Sequence, residues 1–198
     1  MIKFKKISNE VPYKVFKINY EKALKNKQKN IEAICISSYS KRTNEVNARF
    51  VNLKLIQDKK FIFFSNYNSL KAQDFCNHNQ ITALIYWQNI NVQIRMKATI
   101  EKTSQEFNQS YFEERDKKKN ALSISSNQSS YIKSYEDVQS NYKKCLESKD
   151  LLKCPKYWGG YFFVPFYFEF WQGHASRINK REIYELKDNE WMKGYLQP

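Results

Sequence analysis

The clearest periodicity in the chain runs over residues 92–100, where Val92, Ile94, Met96, Ala98 and Ile100 alternate with Gln93, Arg95, Lys97 and Thr99. Side chains on a strand point alternately to its two faces, so the pattern predicts a strand with one face in a core and the other toward polar surroundings. Upstream the period changes. Over residues 13–29, Val15, Phe16, Tyr20 and Leu24 recur at helical spacing among lysines, which predicts a helix. Strand signals follow. Residues 31–39 carry Ile34 and Ile36 on one face, 41–45 read as a polar turn, 47–56 as a second strand, and 57–60 as a turn into the apolar run 61–64. Ser69 fits the N-cap of a helix ending near Asn77, and Ser104, with Glu106 just inside, starts another running to about Arg115. A third helix is predicted over 136–147. Residues 157–171 are strand-rich and strongly aromatic, and Asp188-Asn189 predicts the turn of a last hairpin before Trp191.

Short antiparallel strands with a few helices predict a mainly β protein with peripheral helices, closed or split into a barrel so that few sheet edges stay exposed. A chain of 198 residues, 41% hydrophobic, suits a single domain with a sizeable core. Within it, 1–29 is expected as an N-terminal helical segment and 155–198 as a distinct C-terminal region. The run from Tyr161 to Phe168 is too apolar for a solvated strand pair, which predicts that a two-fold interface buries it in a homodimer.

Composition narrows the partners. Net charge is +14, from 34 Lys and Arg against 20 Asp and Glu. Such a surface attracts polyanions. The lysines are nevertheless dispersed, and the one dense run, Lys117, Lys118 and Lys119, reads as a solvated turn. Anionic small molecules are therefore expected as partners, and nucleic acid is not. Cys35, Cys76, Cys145 and Cys154 form no CxxC pair, His78 and His174 show no ligand spacing, and residues 1–6 lack the apolar stretch of a secretory leader. No apolar run reaches membrane-spanning length. The expectation is a cytoplasmic protein with reduced thiols, no metal and no membrane contact.

Several segments carry candidate chemistry. Arg49-Phe50-Val51-Asn52-Leu53-Lys54 places a cation at each end of a predicted strand, and the odd spacing predicts that they face opposite sides. Phe64-Ser65-Asn66-Tyr67-Asn68-Ser69-Leu70-Lys71 runs from a strand through a turn into a helix N-terminus. Backbone N–H groups, two serine hydroxyls and an ammonium there could hold a phosphate. The polar loop Ser126-Asn127-Gln128-Ser129-Ser130 could bond a heterocycle or phosphate. Near the end, Trp158-Gly159-Gly160-Tyr161 precedes Phe168-Glu169-Phe170-Trp171-Gln172-Gly173 and then Arg177-Ile178-Asn179-Lys180-Arg181. The glycines permit close backbone approach, and spacing four predicts Arg177 and Arg181 on one strand face. Each segment alone reads equally well as ordinary strand ends, a capped helix or a solvated loop.

Taken in order, these segments resemble the pyridoxamine 5′-phosphate oxidase family. The C-terminal stretch resembles that family's W-G-G-[YF], E-F-W-Q-G and R-L-H-D-R signature. The R-x-V-x-L-K strand, the [FY]-[ST]-N-x-x-S-x-K turn, the Q-[VI]-R strand, the Y-F-x-x-R helix and the S-x-Q-S loop precede it in the family's order, from about residue 30 onward. The resemblance implies an FMN-binding split barrel acting as a homodimer with shared active sites. It also implies oxidation of pyridoxine or pyridoxamine 5′-phosphate to pyridoxal 5′-phosphate, with O2 as acceptor. Carried over by position, it implies FMN contacts from Arg49, Lys54, Phe64, Ser65, Lys71, Gln93, Gln128, Ser129, Trp171 and Arg181. Lys54, Tyr111, Arg115, Lys119 and Arg177 would hold substrate, and Arg177 and Asn179 fall at the catalytic positions. Three departures stand out. Leu70 replaces an arginine, Lys119 a serine, and Asn179 the histidine of R-x-H, which removes a group able to carry a proton. Two other readings stay open: a related flavin oxidase acting on another, phenazine-type substrate, and a non-catalytic FMN- or pyridoxal-phosphate-binding protein.

Overall fold

A computed structural model of the chain describes residues 1–148 and 150–198. The chain adopts the mainly β fold with peripheral helices that the sequence predicts, built on one mixed ten-stranded sheet. It opens with a strand the sequence did not disclose, β1 (Lys3–Ile7), paired parallel to β4 (Leu55–Asp58). Three lysines in five residues hide its periodicity. Helix α1 therefore spans Val11–Lys25 rather than 13–29, with Pro12 in a first turn where its missing N–H costs nothing.

The predicted strand over 47–56 is two strands, β3 (Glu45–Asn52) and β4. The break between them closes the barrel. In the sheet order β1-β4-β5 (Lys60–Asn66)-β8 (Trp158–Gln172)-β7 (Val92–Lys102)-β6 (Gln80–Trp87)-β2 (Ala33–Ser40)-β3, β3 and β4 lie near opposite ends, yet two residues join them. A linker that short reaches only about 10 Å, so the sheet must curl until its ends meet. Consecutive amides record the meeting. Leu53 N–H donates to Glu32 O at 2.8 Å, beside β2 (Ala33–Ser40), and Lys54 N–H to Ile62 O at 2.9 Å, on β5 (Lys60–Asn66).

Inside the curl lie the alternating residues of β7 (Val92–Lys102), namely Ile94, Met96 and Ala98, with Ile34 and Ile36 of β2. Ile81, Ala83, Ile85 and Trp87 of β6 (Gln80–Trp87), a strand unassigned from sequence, complete that wall. Helix α1 lays Tyr13, Phe16 and Tyr20 against Phe61, Trp87 and Phe168.

The aromatic stretch forms one fifteen-residue strand, β8 (Trp158–Gln172), whose core-facing residues this chain buries itself, while Phe162, Val164 and Phe166 on the other face stay only partly buried. β8 is interior, pairing with β5 and β7 and, through its second half, with β9 (Lys180–Lys187). Tyr161, Phe163 and Phe168 are buried by this chain's own core. Its ladder slips at Phe166, next to Pro165, which has no N–H to give. Asp188 and Asn189, both at positive φ, turn β9 into β10 (Glu190–Leu196) as predicted.

Helices α2 (Leu70–Asn77), α3 (Gln105–Glu114) and α5 (Tyr135–Ser148) lie where expected. Ser104 caps α3, accepting from Phe107 N–H at 3.2 Å. Ser69 sits at the cap position of α2, but its hydroxyl donates to Asn66 O at 2.8 Å instead of accepting from a backbone N–H of the helix. The lysine run is no solvated turn. It opens a further helix, α4 (Lys117–Ser125), with Asp116 accepting from Lys119 N–H.

Candidate active site

One cleft of about 650 Å³ gathers most of the predicted residues. Its floor is the turn from β5 into α2. Ser65 and Asn66 end the strand, and Lys71 opens the helix, buried to 8% exposure. One wall comes from β3 and the barrel-closing link, with Arg49 and Lys54. Parity along a single strand would separate these two. Because the strand ends at Asn52, Lys54 instead swings into the same cleft as Arg49. The opposite wall is Tyr111 and Arg115 at the end of α3, and the rim is the loop after α4, with Gln128 and Ser129.

Local bonds hold these groups in place. Arg49 donates to Ile36 O at 3.2 Å and Ser38 Oγ at 2.8 Å, with Asp74 behind it at 3.8 Å. Arg115 donates to Lys119 O, Asn120 Oδ1 and Ser123 Oγ, and its guanidinium lies 5.0 Å from the ring centre of Trp158. Gln128 Oε1 accepts from Ser65 Oγ–H at 3.4 Å and Asn66 N–H at 3.3 Å, tying the rim loop to the floor. Phe64 stacks on Tyr111 with centroids 3.7 Å apart, and on Trp158 at 5.1 Å, so one wall is a flat aromatic tier. Trp158 and Asn66 are site residues that sequence reasoning did not single out. Both lie inside quoted motifs, but nothing in their spacing distinguishes a lining residue from a packed one.

The electrostatics are one-sided. Arg49, Lys54, Lys71 and Arg115 all line the cleft, and no carboxylate does among the described residues. Lys54 has Glu32 at 3.9 Å. Burial lowers its pKa, Glu32 opposes that, and Lys119 and Arg115 lower it further. Lys71 pairs with no carboxylate among the described residues. Its ammonium donates to Ser69 Oγ at 3.2 Å, and burial, with Arg49 nearby, pushes its pKa down to about 8. A buried ammonium without a counter-charge is costly unless an anion completes it. The cleft is thus suited to an anionic ligand with a planar, stackable part.

The remaining predicted residues lie elsewhere. Lys119 is exposed on α4, in the groove between α4 and α5; its side chain lies outside the cleft and bears on it through its field on Lys54, while its carbonyl accepts from Arg115. Gln93, Trp171 and Arg181 form a row of direct neighbours across β7, β8 and β9, outside the cleft. Arg177 is not on a strand face with Arg181. It precedes β9, in a loop, at φ 60°. Asn179 Oδ1 accepts from His174 N–H at 3.0 Å and closes that loop. Among the described residues, no three His, Cys, Asp or Glu side chains come together as a metal site would require, and no helix is long and apolar enough to cross a membrane.

Comparisons with known proteins agree with this geometry. Residues 158–198 match the family model described as the pyridoxine 5′-phosphate oxidase C-terminal dimerisation region. Pyridoxine/pyridoxamine 5′-phosphate oxidase 1 of Hydrogenovibrio crunogenus is 31% identical over 191 residues, covering 94% of this chain and 88% of that one. The pyridoxine/pyridoxamine 5′-phosphate oxidase of Coxiella burnetii is 30% identical, covering 94% and 95%. Among solved structures, PhzG of Burkholderia lata 383, in complex with tetrahydrophenazine-1-carboxylic acid, matches with a TM-score of 0.89 at 22% identity, over 94% of this chain and 92% of that one. A pyridoxamine 5′-phosphate oxidase-related, FMN-binding protein of Nostoc punctiforme PCC 73102 matches with a TM-score of 0.78 at 11% identity, over 96% and 99%. The two structural likenesses speak to the fold.

Proposed function

The chain belongs to the pyridoxine/pyridoxamine 5′-phosphate oxidase family, and from that premise we propose that it binds FMN and oxidises pyridoxine or pyridoxamine 5′-phosphate to pyridoxal 5′-phosphate, with O2 as acceptor. The observation that carries this reading is the cleft with four cations and, among the described residues, no lining carboxylate and no counter-charge for the buried Lys71. Those residues fit a flavin phosphate. Lys71, Arg49, Ser65 and the Asn66 N–H would hold it, with Gln128 and Ser129 at the rim and Phe64 in the wall. Leu70, where the family resemblance puts an arginine, lines the cleft half-exposed, so the charge falls on Arg49 and Lys71. Bound FMN supplies the hydride acceptor. The protein's own work is to bind, orient and exclude water.

Lys54, Tyr111 and Arg115 are the proposed grip on the substrate phosphate. The field of Lys119 adds to them where the family has a neutral serine. The contacts of Arg115 Nη1 with Lys119 O, Asn120 Oδ1 and Ser123 Oγ fix that end of the guanidinium before substrate arrives. Asn179 spends its carbonyl on the His174 amide, so its role is to shape the loop that presents Arg177, and no proton moves through it. An anaerobic absorbance spectrum of the flavin-loaded protein tests the reading. The oxidised flavin band should bleach on addition of either phosphorylated vitamer. A band unchanged by both would sink the substrate assignment and leave the cofactor.

The row Gln93–Trp171–Arg181 and the Arg177 loop lie outside this chain's cleft. We assign them to the site of a second copy, in a homodimer with two shared sites. Support comes from the matched dimerisation region and from Val46 and Phe50, each 74% exposed on β3. Mixing refolded Lys71→Met and Arg181→Ala subunits, at an FMN concentration too low to load either variant alone, should restore about a quarter of wild-type activity. Random pairing makes half the dimers mixed, and each mixed dimer has one intact site of two. No recovery in a mixture shown to exchange subunits would mean that each site is built within one chain.

A further inference from the structure

The deepest polar group on the outward face of β7, β8 and β9 is a carboxylate. Glu169 is 3% exposed, while Gln93 and Trp171 on the same face are only partly buried. The strand register puts Arg95 directly opposite Glu169 on β7, and puts Arg181 beside Trp171 on β9, diagonal to Glu169. Both arginines grip it. Arg181 Nε donates to Oε1 at 2.8 Å, and Arg95 Nε donates to Oε2 at 3.0 Å. Burial alone would raise this carboxyl's pKa. The bonds from Arg181 and Arg95 outweigh burial and hold it below the usual carboxylate range, so it is an anion locked between two cations.

The side from which Arg181 is held decides what it can do. Glu169 takes it by Nε, and Nη1 donates to the Gln197 carbonyl at 2.9 Å. The guanidinium plane is fixed at two points, and Nη2 is left for a ligand. An arginine on an open sheet face would otherwise lose much rotamer freedom on binding. We propose that Glu169 is a positioning residue for the cofactor, acting through Arg181 and counterbalanced by Arg95. The proposal rests on the reading of Arg181 as a flavin contact.

Titrating apoprotein with FMN and following flavin fluorescence tests it, with melting temperature and light scattering recorded alongside. Glu169→Gln keeps the length but turns one acceptor into a donor facing a guanidinium. It should weaken FMN binding about tenfold, the scale of one charge-assisted hydrogen bond. Because Glu169 acts only through Arg181, the double variant Glu169→Gln/Arg181→Ala should bind no more weakly than Arg181→Ala. A merely structural role would instead give additive losses that track the melting temperature. Should Glu169→Gln not fold, Arg181→Lys decides. It keeps the charge but has no Nε–H and no fork, and it should lose affinity to a similar degree. The proposal is overturned by wild-type affinity in Glu169→Gln, or in Arg181→Lys where that variant decides, or by additive losses in the double variant. An unchanged affinity in Arg181→Ala fails differently. It removes Arg181 from the flavin site, and the positioning role goes with it.

Discussion

Replacing Lys71 with methionine should make the ligand-free protein more stable and weaken its FMN binding about a hundredfold. The two effects share one cause. Lys71 is 8% exposed, donates to the Ser69 hydroxyl, and meets no carboxylate among the described residues. Its pKa, pushed down to about 8 from 10.5 by burial and by Arg49, means that the folded state penalises the ammonium. At about 1.4 kcal/mol per tenfold change in proton affinity, the penalty is roughly 3 kcal/mol at neutral pH. Methionine fills the same space without the charge and should recover part of that. A phosphate loses its buried partner at the same time, and a charge-assisted bond in a dry site is worth about 2–3 kcal/mol.

The pH dependence has a definite sign. A lysine whose folded pKa is depressed leaves the unfolded chain binding more protons between about pH 8 and 10.5, so the apoprotein should gain stability as pH rises through that window. Below about pH 8 the penalty is fully present. FMN affinity should move the other way and fall as pH climbs above about 8, because the bound phosphate needs the proton that free Lys71 is losing. Thermal melts of apoprotein from pH 7 to 10, with FMN titrations at the same pH values, check both trends. Lys71→Met should flatten both. A variant that binds FMN like wild type would show that the phosphate lies elsewhere.

Period two was legible where one face of a strand is core and the other polar, as in β7. It says nothing about what covers a strand buried on both faces. The run from Tyr161 to Phe168 announced apolar burial, and one face of it, with Tyr161, Phe163 and Phe168, is covered by the barrel core, while Phe162, Val164 and Phe166 on the other stay only partly buried. Parity arguments failed wherever the strand ended early. Lys54 joins Arg49 because the chain breaks after Asn52 to close the barrel, and Arg177 parts from Arg181 because β9 begins only at Lys180. The first break depends on distant pairing, Leu53 with Glu32 and Lys54 with Ile62, which no local window contains. Motif order therefore indicated which side chains matter, while their distribution between the cleft and the outward row needed the folded sheet. The lack of a counter-charge for Lys71 among the described residues is likewise invisible in sequence, since it depends on the absence of a carboxylate in space.

Gly159→Ala should be strongly destabilising. The glycine needs no special backbone angle, since no glycine in the described chain has positive φ. It needs room. A β-carbon there would lie 2.2 Å from the Tyr67 hydroxyl and 2.3 Å from Asn108 Nδ2. These tips cannot swing aside freely, because they belong to a closed polar knot. Asn108 Oδ1 accepts from Thr103 Oγ–H at 2.6 Å and from Gly160 N–H at 2.8 Å, its Nδ2 donates to the Tyr67 hydroxyl at 3.0 Å, and that hydroxyl donates to Gly160 O at 2.9 Å. Opening the knot strands buried polar atoms as well as overpacking the site, for a combined loss of about 3 kcal/mol or more. For a chain of this size that corresponds to a fall of roughly 10 °C in melting temperature. Gly159 is also the register partner of Ser65, and Trp158 beside it carries the stack under Arg115, so FMN affinity should fall in the same variant. Gly194→Ala is the control. The nearest atoms to its added carbon lie at 3.4 and 3.5 Å, and it should melt within about 2 °C of wild type. Equal melting temperatures for the two variants would mean that the knot yields at little cost and is not what holds Trp158, Ser65 and α3 in register.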